Sequence, residues 1–229
     1  MRTKNLFTLT AAMLFAIACS AQHSTLFYEK GKAGFKNTVT GQIVVPANYI
    51  SASNMIQLPD GSFYSFVYNG DKVGYINDRG EVIIPFIYEA ASIFSDGRAR
   101  VMMNGKYGYI NTSGQMVIPC NYVFAADFHG NLARVEQNGK YGFIDRKGNT
   151  AIGFNYFDAG DFYDGLAPVQ TEQGLYGFIN AQGSFVIQPS FIKAESFKNG
   201  EAIVYNGEKI VYINTQGKVL REHEVNHNH

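Results

Sequence analysis

The chain has 229 residues, 46% of them hydrophobic, so it is long enough to bury a sizeable core. Its 19 basic and 19 acidic residues balance, which excludes the strongly basic surface of a nucleic-acid-binding protein or of a protein held electrostatically on an anionic membrane. The 24 glycines, 15 tyrosines and 18 phenylalanines favour strands and turns over helices.

The N-terminus has the features of an export signal, which we assign to residues 1–21. Two basic residues within the first four positions precede an apolar run, residues 6–18, that is too short for a comfortable membrane span. Two cleavage sites remain open: one directly before Gln22, and one at a lipobox-like segment, residues 16–19, that would leave Cys19 lipidated. Either site predicts a bacterial protein that is periplasmic, secreted or anchored as an outer-membrane lipoprotein.

A glycine-centred motif recurs six times in residues 22–221, which we assign to a single repeat domain. One copy is the segment Lys106-Tyr107-Gly108-Tyr109-Ile110-Asn111, followed by a turn and an apolar strand. Its central position recurs at steps of 40, 34, 34, 35 and 34 residues, occupied by Gly34, Gly74, Gly108, Gly142, Gly177 and Val211. A fixed period in this range is typical of repeat proteins, in which each unit buries its apolar face against its neighbours.

Each unit is predicted to be a three-stranded meander. In the unit that contains Gly108, the strands are residues 99–102, 107–110 and 116–118. Asn-Gly pairs between the first two strands of four units predict type I′ turns, because both turn residues must adopt positive φ; they begin at Asn69, Asn104, Asn138 and Asn206. A connector with aromatic, Ala and Phe residues at steps of three then leads to the next unit. We expect an ordered surface segment there, with a turn or a short helical piece.

Both faces of the central strand are apolar, so both must be covered. Gly108 and Ile110 share one face, whereas Tyr107 and Tyr109 share the other. A glycine inside a strand is unfavourable unless an aromatic ring or a neighbouring backbone lies close to it. The sequence therefore predicts an all-β protein: six tandem meanders of about 34 residues stacked as an open β-solenoid-like array. A closed six-bladed propeller is the alternative, and residues 222–229 are expected to form a polar, disordered tail.

The repeated motifs resemble those of the WG-repeat family. Matching segments are Lys106–Asn111, Lys140–Asp145, the Val117-Ile118-Pro119 strand and residues 162–169. The resemblance covers residues 26–220 and implies a β-repeat scaffold that is used for binding, without a common catalytic activity. The chain contains no Trp, and the name-giving position holds Val73, Tyr107, Tyr141, Tyr176 or Ile210. A ligand that requires a Trp platform is therefore not expected.

Three tyrosines at equivalent positions are the candidate ligand-binding residues: Tyr107, Tyr141 and Tyr176. Exposed Tyr rings stack on sugars or peptides, but repeated core packing is the simpler interpretation of the same spacing. The best metal candidates are Asp158, Asp161 and Asp164, whose spacing of three does not match the spacing of two in an EF-hand loop. We interpret them as solvated turn carboxylates and predict no metal and no cofactor.

The remaining reactive side chains form no catalytic set. Cys120 is left without a disulfide partner once Cys19 is cleaved off or lipidated, and we interpret it as a half-buried packing residue. His223, His227 and His229 lie in the expected tail, where nothing would hold a metal site in place. We therefore expect a non-enzymatic binding or scaffold protein of the bacterial envelope that engages a protein or a polysaccharide.

Two alternatives remain open. One is a structural accessory subunit of an envelope complex. The other is an enzyme with a carboxylate site between repeats, centred on Asp127, Asp158, Asp161 and Asp164.

Overall fold

The structure, a computed structural model, describes residues 24–224, and within this range it contains strands and turns but no helix. The strands form six antiparallel sheets in chain order. Sheet 1 contains β1 (Ser24–Glu29), β2 (Lys32–Asn37) and β3 (Ile43–Tyr49). Sheet 2 contains β4 (Ser51–Ala52), β5 (Ile56–Gln57), β6 (Phe63–Tyr68), β7 (Val73–Asn77) and β8 (Val82–Tyr88). Sheet 3 contains β9 (Ala90–Ala91), β10 (Ala99–Met103), β11 (Lys106–Ile110) and β12 (Met116–Tyr122).

The remaining three sheets repeat the composition of sheet 3. Sheet 4 contains β13 (Phe124–Ala125), β14 (Leu132–Gln137), β15 (Lys140–Asp145) and β16 (Thr150–Tyr156). Sheet 5 contains β17 (Asp158–Ala159), β18 (Ala167–Gln170), β19 (Tyr176–Ile179) and β20 (Phe185–Phe191). Sheet 6 contains β21 (Lys193–Ala194), β22 (Glu201–Tyr205), β23 (Lys209–Asn214) and β24 (Val219–Glu224). The predicted all-β architecture of six tandem meanders is confirmed.

The connectors differ from the prediction, because they contain strand segments rather than a helical piece. β12 ends at Tyr122, and after one residue the chain continues as β13, which pairs with β14 of the next sheet. In the first five units the chain therefore bends after the third strand and continues into the next sheet. The apolar step of three that suggested a helical turn instead places Ala125 and Phe128 against the preceding sheet.

Each pair of neighbouring sheets shares one cluster of buried apolar side chains. Between sheets 3 and 4, Tyr109 contacts Phe128, with ring centroids 4.9 Å apart. Its hydroxyl donates to the Ala126 carbonyl oxygen at 2.6 Å, and burial raises its pKa strongly. Equivalent clusters join sheets 1 and 2, 2 and 3, 4 and 5, and 5 and 6. Within residues 24–224 no cluster joins sheet 6 back to sheet 1, which agrees with the open array rather than the closed propeller.

The central glycine lies beneath an arch of the third strand. In sheet 3, Tyr107 is opposite Tyr122 and Tyr109 is opposite Ile118, so three residues of β12 cross a single residue of β11. A Cβ atom at Gly108 would lie 2.5 Å from the Ile118 carbonyl oxygen and 2.7 Å from the Cys120 nitrogen. The predicted close backbone approach is confirmed. In sheet 6, where Val211 replaces the glycine, Val211 and Tyr212 pair with Glu222 and Arg221 without an arch.

Two of the four predicted type I′ turns are confirmed. Asn104 and Asn138 have φ of 54°, and each is followed by a glycine with positive φ. Asn69-Gly70 and Asn206-Gly207 instead lie in four-residue loops, where the Asn side chain accepts hydrogen bonds from the backbone. In these two units the Asn-Gly pair lies one residue further from the central position, Gly74 or Val211, than in the other two units. The pair therefore cannot occupy the centre of a two-residue turn.

An Asn or Asp side chain closes the turn after the second long strand in all six units. The Asn180 side-chain oxygen accepts hydrogen bonds from the backbone N–H groups of Gln182 and Ser184, both at 3.0 Å. The equivalent residues are Asn37, Asn77, Asn111, Asp145 and Asn214. A glycine with positive φ completes each turn, and this geometry explains why the motif ends in Asn or Asp.

We expect Asn180→Ala to lower the free energy of unfolding by about 1 kcal/mol, because two backbone N–H groups lose their acceptor. Asn180→Asp is the matched control, since Asp145 performs the same role naturally. Urea denaturation followed by circular dichroism measures both. Equal losses for the two variants would contradict this role of the side-chain oxygen.

The outward faces of the first and last sheets carry cations where interior sheets carry isoleucine. Lys36 of β2 occupies the position of Ile110, which is fully buried between sheets 2 and 3, yet Lys36 is exposed. Arg221 of β24 occupies the position of Ile118, and its guanidinium lies over the Tyr212 ring, 3.8 Å from the centroid. Charged outer faces are what an open repeat array requires at its ends.

Residues 222–224, which were predicted to belong to a disordered tail, instead form the end of a strand. β24 pairs with β23 as far as Glu224, so residues 222–224 belong to sheet 6. Lys209 forms ion pairs with Glu222 and Glu224 along this edge. His223 lies in the strand, whereas His227 and His229 lie outside the described residues, as does the predicted signal with Cys19.

Candidate binding surface

The three candidate tyrosines occupy equivalent, half-buried positions along one edge of the array. Tyr107 and Tyr141 are the second residues of β11 and β15, and Tyr176 is the first residue of β19, so all three lie near the start of the second long strand of sheets 3, 4 and 5. Each is opposite the last residue of the third strand of its own sheet, which is Tyr122, Tyr156 or Phe191. The three tyrosines are therefore neither fully buried in the core nor fully exposed for stacking on a ligand.

Two arginines pack against these tyrosines and tie adjacent sheets together. The Arg134 guanidinium carbon lies 5.6 Å from the Tyr141 ring centroid and 4.8 Å from that of Phe124. Arg134 also donates to Asp161 Oδ1 at 3.0 Å and to the Ala159 carbonyl oxygen. Arg100 repeats this arrangement one unit earlier, with the Tyr107 ring at 5.5 Å and the Ala125 carbonyl at 2.6 Å. Tyr107 and Tyr141 thus have a packing role besides any binding role.

We expect Arg134→Met to lower the free energy of unfolding by about 2 kcal/mol, because Asp161 and the Ala159 carbonyl lose a charged donor inside a sheet junction. Met retains much of the apolar stem. Arg79→Met, on an exposed loop, is the control and should change stability by less than about 0.5 kcal/mol. Thermal and urea unfolding measure the difference. Similar stabilities for the two variants would show that the Arg134 contacts contribute little.

Exposed apolar residues lie next to the tyrosines, at the bend where each third strand changes sheets. Val123 is 61% exposed, Phe157 46% and Ile192 45%. Each directly follows the residue opposite one of the three tyrosines. We call these six residues the hairpin edge: Tyr107, Tyr141, Tyr176, Val123, Phe157 and Ile192. Glu89 replaces the apolar residue one unit earlier, and it accepts hydrogen bonds from the Asn104 and Gly105 N–H groups instead.

The hairpin edge leads into a cleft of about 630 Å³ at its sheet 6 end. The cleft is lined by the apolar side chains of Ile192, Ile203 and Ile210 and by the polar residues Lys193 and Glu195. Tyr176 closes one side, and its hydroxyl donates to Asp158 Oδ2 at 2.5 Å. Burial and this carboxylate raise the pKa of Tyr176. A concave, mostly apolar surface with a few polar groups is the usual form of a ligand site.

The three candidate metal ligands have separate structural partners. Asp158 accepts from Tyr176, Asp161 pairs with Arg134, and Asp164 accepts from the Gly200 N–H at 2.7 Å. Asp164 also has φ of 49° and lies in a tight turn with Gly165. Among residues 24–224 there is no group of three or more His, Cys, Asp or Glu side chains that could hold a metal ion. The three carboxylates therefore do not form one site.

Within residues 24–224, Cys120, His129 and His223 are likewise not assembled into a reactive set. Cys120 is half-buried, and burial raises the pKa of its thiol, which opposes thiolate formation. The His129 ring contacts the Tyr163 ring, with centroids 4.7 Å apart and an interplanar angle of 40°. No helix within residues 24–224 is long and apolar enough to cross a membrane.

The family model for the WG containing repeat matches four consecutive segments: residues 74–107, 107–141, 141–173 and 176–209. Together they span more than half of the chain. The chain belongs to the WG-repeat family. Each of the four matched segments contains one of the arched glycines, Gly74, Gly108, Gly142 and Gly177. Membership of this family favours a repeat-based binding or scaffold protein.

Three solved structures align with most of this WG-repeat chain at low sequence identity. A eukaryotic initiation factor aligns with a TM-score of 0.53 at 10% identity, covering 87% of this chain and 62% of that protein. The computationally designed Ika8 protein has a TM-score of 0.48 at 13% identity, covering 87% and 74%. BamB from Moraxella catarrhalis has a TM-score of 0.47 at 9% identity, covering 89% and 74%. No curated protein matches the sequence.

Sequence reasoning located the tyrosines of the WG repeats but missed their surroundings. Arg100 and Arg134 recur 34 residues apart, in the first strand opposite Tyr109 and Phe143. This recurrence is a signal that could have identified them. The cleft beside Tyr176 had no signal of this kind, because its lining combines Gln170 and Tyr176 of sheet 5 with residues of sheet 6.

Proposed function

We propose that this protein is a non-enzymatic binding protein exported to the bacterial envelope, where it engages a protein or polysaccharide through the hairpin edge. The observation that carries the proposal is the row of exposed apolar residues, Val123, Phe157 and Ile192, which recurs in three successive units and ends in the cleft. Exposed apolar residues aligned beside half-buried tyrosines are a usual composition for a recognition surface.

The non-enzymatic part of the proposal is supported by how the carboxylates are used. Asp158, Asp161 and Asp164 each accept from a different structural donor, and Asp127 lies 3.9 Å from Arg100. Catalytic carboxylates would need to converge on a shared space. The export part rests on the N-terminal segment before Gln22. Intact-mass measurement of the mature chain distinguishes an unmodified Gln22 terminus from a lipidated Cys19, and retention of Met1 would contradict export through this signal.

Site-specific photo-crosslinking in intact cells tests the binding part. A photoreactive amino acid at Val123, Phe157 or Ile192 should give adducts with the same partner, because the three positions lie on one edge. Val186, which is 47% exposed but lies in the third strand away from this edge, is the matched control. A purified envelope polysaccharide should likewise bind the native chain more tightly than Phe157→Glu, with Val186→Glu as control.

The outcomes separate the candidates. A discrete adduct or polysaccharide complex confined to the hairpin edge supports the proposal. Adducts with one large complex at edge and control positions alike would favour the accessory-subunit alternative. The proposal would be overturned if none of the three positions gave adducts and no polysaccharide bound the chain.

A further inference from the structure

A second pocket, of about 480 Å³, lies at the ends of the long strands that are furthest from the Asn-Gly hairpins. It is bounded by the loop between β5 and β6, which is the insertion that lengthens the second repeat, and by the turn over residues 95–98. One wall is apolar and consists of Ile56, Leu58, Pro59 and Phe94. The lining also includes Arg146, which belongs to the loop between β15 and β16.

Arg146 and Arg98 form a pair of like charges beside this pocket. Arg98 donates from Nε and Nη2 to the Arg146 carbonyl oxygen at 3.2 and 3.1 Å, and from Nη1 to the Gly97 carbonyl oxygen at 3.0 Å. A Cβ atom on Gly97 would lie 3.0 Å from Arg146 Nη2, so both guanidinium groups are close to Gly97. Burial and the charge of Arg146 lower the pKa of Arg98.

Within residues 24–224 neither guanidinium group has a carboxylate within 4.0 Å, although Arg100, Arg134 and Arg221 each have one. Asp96 also lines the pocket, but its Oδ2 accepts from the Asn131 N–H at 3.4 Å. Arg146 donates only from Nη1, to Asn131 Oδ1 at 3.5 Å. Its Nη2 and Nε groups thus remain available in the described part of the chain for an anionic ligand.

We infer that this pocket binds the free C-terminal carboxylate of a peptide whose last side chain is apolar. The Arg146 fork matches a carboxylate in geometry and charge, since two parallel N–H groups can donate to its two oxygens. The wall of Ile56, Leu58 and Phe94 would bury the adjoining aliphatic side chain. A uronic acid of an acidic polysaccharide also carries a carboxylate, but its hydroxyl groups would face this apolar wall without acceptors. The site is separate from the hairpin edge and does not depend on the function proposed for it.

The test uses an N-acetylated short peptide ending in leucine, with the same peptide amidated at its C-terminus as the ligand control. Isothermal titration calorimetry on the mature chain should give binding that weakens about tenfold on amidation and about tenfold in Arg146→Gln, which is the usual scale for losing a charge-assisted hydrogen bond. Lys147→Gln is the matched protein control, since it removes the same charge from the next residue, which does not line the pocket. It should weaken binding by less than about twofold.

A further variant separates the apolar wall from the charge. Leu58→Asn should weaken the leucine peptide but leave a peptide ending in glycine unchanged, and amide chemical shifts should locate the contact at Gly97 and Leu58. Equal affinities for the free and amidated peptides would overturn the inference, as would equal effects of Arg146→Gln and Lys147→Gln. Arg146-dependent binding of an oligoglucuronate without peptide binding would assign the pocket to an acidic sugar instead. Circular dichroism of each variant excludes misfolding as the cause.

Discussion

Gly108→Ala should lower the free energy of unfolding by about 3 kcal/mol, which is near the upper end for overpacking a well-packed interior. The added methyl group would lie 2.5 Å from the Ile118 carbonyl oxygen and 2.7 Å from the Cys120 nitrogen. Both obstacles are backbone atoms, so no side-chain rotation can relieve the contact. The arch of β12 must either rise or lose its pairing with β11, and urea denaturation measures the resulting loss.

Gly153→Ala is the control for this substitution. Gly153 does not have positive φ, and its added Cβ would meet only the Asn155 side-chain amide, at 3.0 Å. Because that side chain can rotate away, we expect a change of less than about 1 kcal/mol, and lower unfolded-state entropy favours a gain. A loss at Gly153 as large as that at Gly108 would show that the arch is not what excludes a side chain.

Phe143→Ala should lower the free energy of unfolding by about 4 kcal/mol, as expected for truncating a fully buried aromatic side chain. Phe143 is fully buried between sheets 4 and 5, and its ring centroid lies 4.9 Å from that of Phe162. The cluster that it joins bridges only these two sheets. Because repeats are stabilised through their nearest neighbours, the damage should be greatest at this junction.

Hydrogen exchange locates that damage. Amides of β15 and β18 should lose more protection than those of β2 and β7, which lie in sheets 1 and 2. Phe157→Ala, at a site that is 46% exposed, provides the control and should lower stability by less than about 1 kcal/mol. A uniform loss of protection across all six sheets would mean that the array unfolds as one cooperative unit and that the local description is wrong.

The sequence predicted the periodicity and the layering because both follow from local chemistry. Alternating apolar faces around Gly108 required sheets on both sides, and Tyr109 and Ile110 are each fully buried against a different neighbour. The close approach at Gly108 was also predictable, since a glycine that recurs inside a strand needs a steric reason. The source of that approach, an arch of the unit's own third strand, was not predictable because it depends on pairing register.

Other features depended on register in the same way. Asn69-Gly70 and Asn104-Gly105 are the same dipeptide, but only the second is centred on its hairpin, because apolar pairing fixes Val67 opposite Gly74. The connector pattern was ambiguous for a similar reason. An aromatic, an Ala and a Phe at steps of three can face one neighbour from a helical turn or from a bent strand.

The candidate binding residues were only partly predictable. The equivalence of Tyr107, Tyr141 and Tyr176 followed from the period alone, and the structure places all three on one edge. Their half-burial against Arg100 and Arg134 did not follow, because it requires side chains from the opposing strand. The Arg146 pocket combines groups from three different units, so no single repeat contains its signal.

The cations at Lys36 and Arg221 have a consequence for how this architecture can vary. A ring fixes its own circumference, so adding one blade forces every other blade to readjust. Here each terminal face is covered by its own cation, and each interior junction depends only on the two sheets that form it, whatever the number of units in the array. An internal duplication of one 34-residue segment would therefore add one more sheet, and one more unit of the hairpin edge, without changing the sheet at either end.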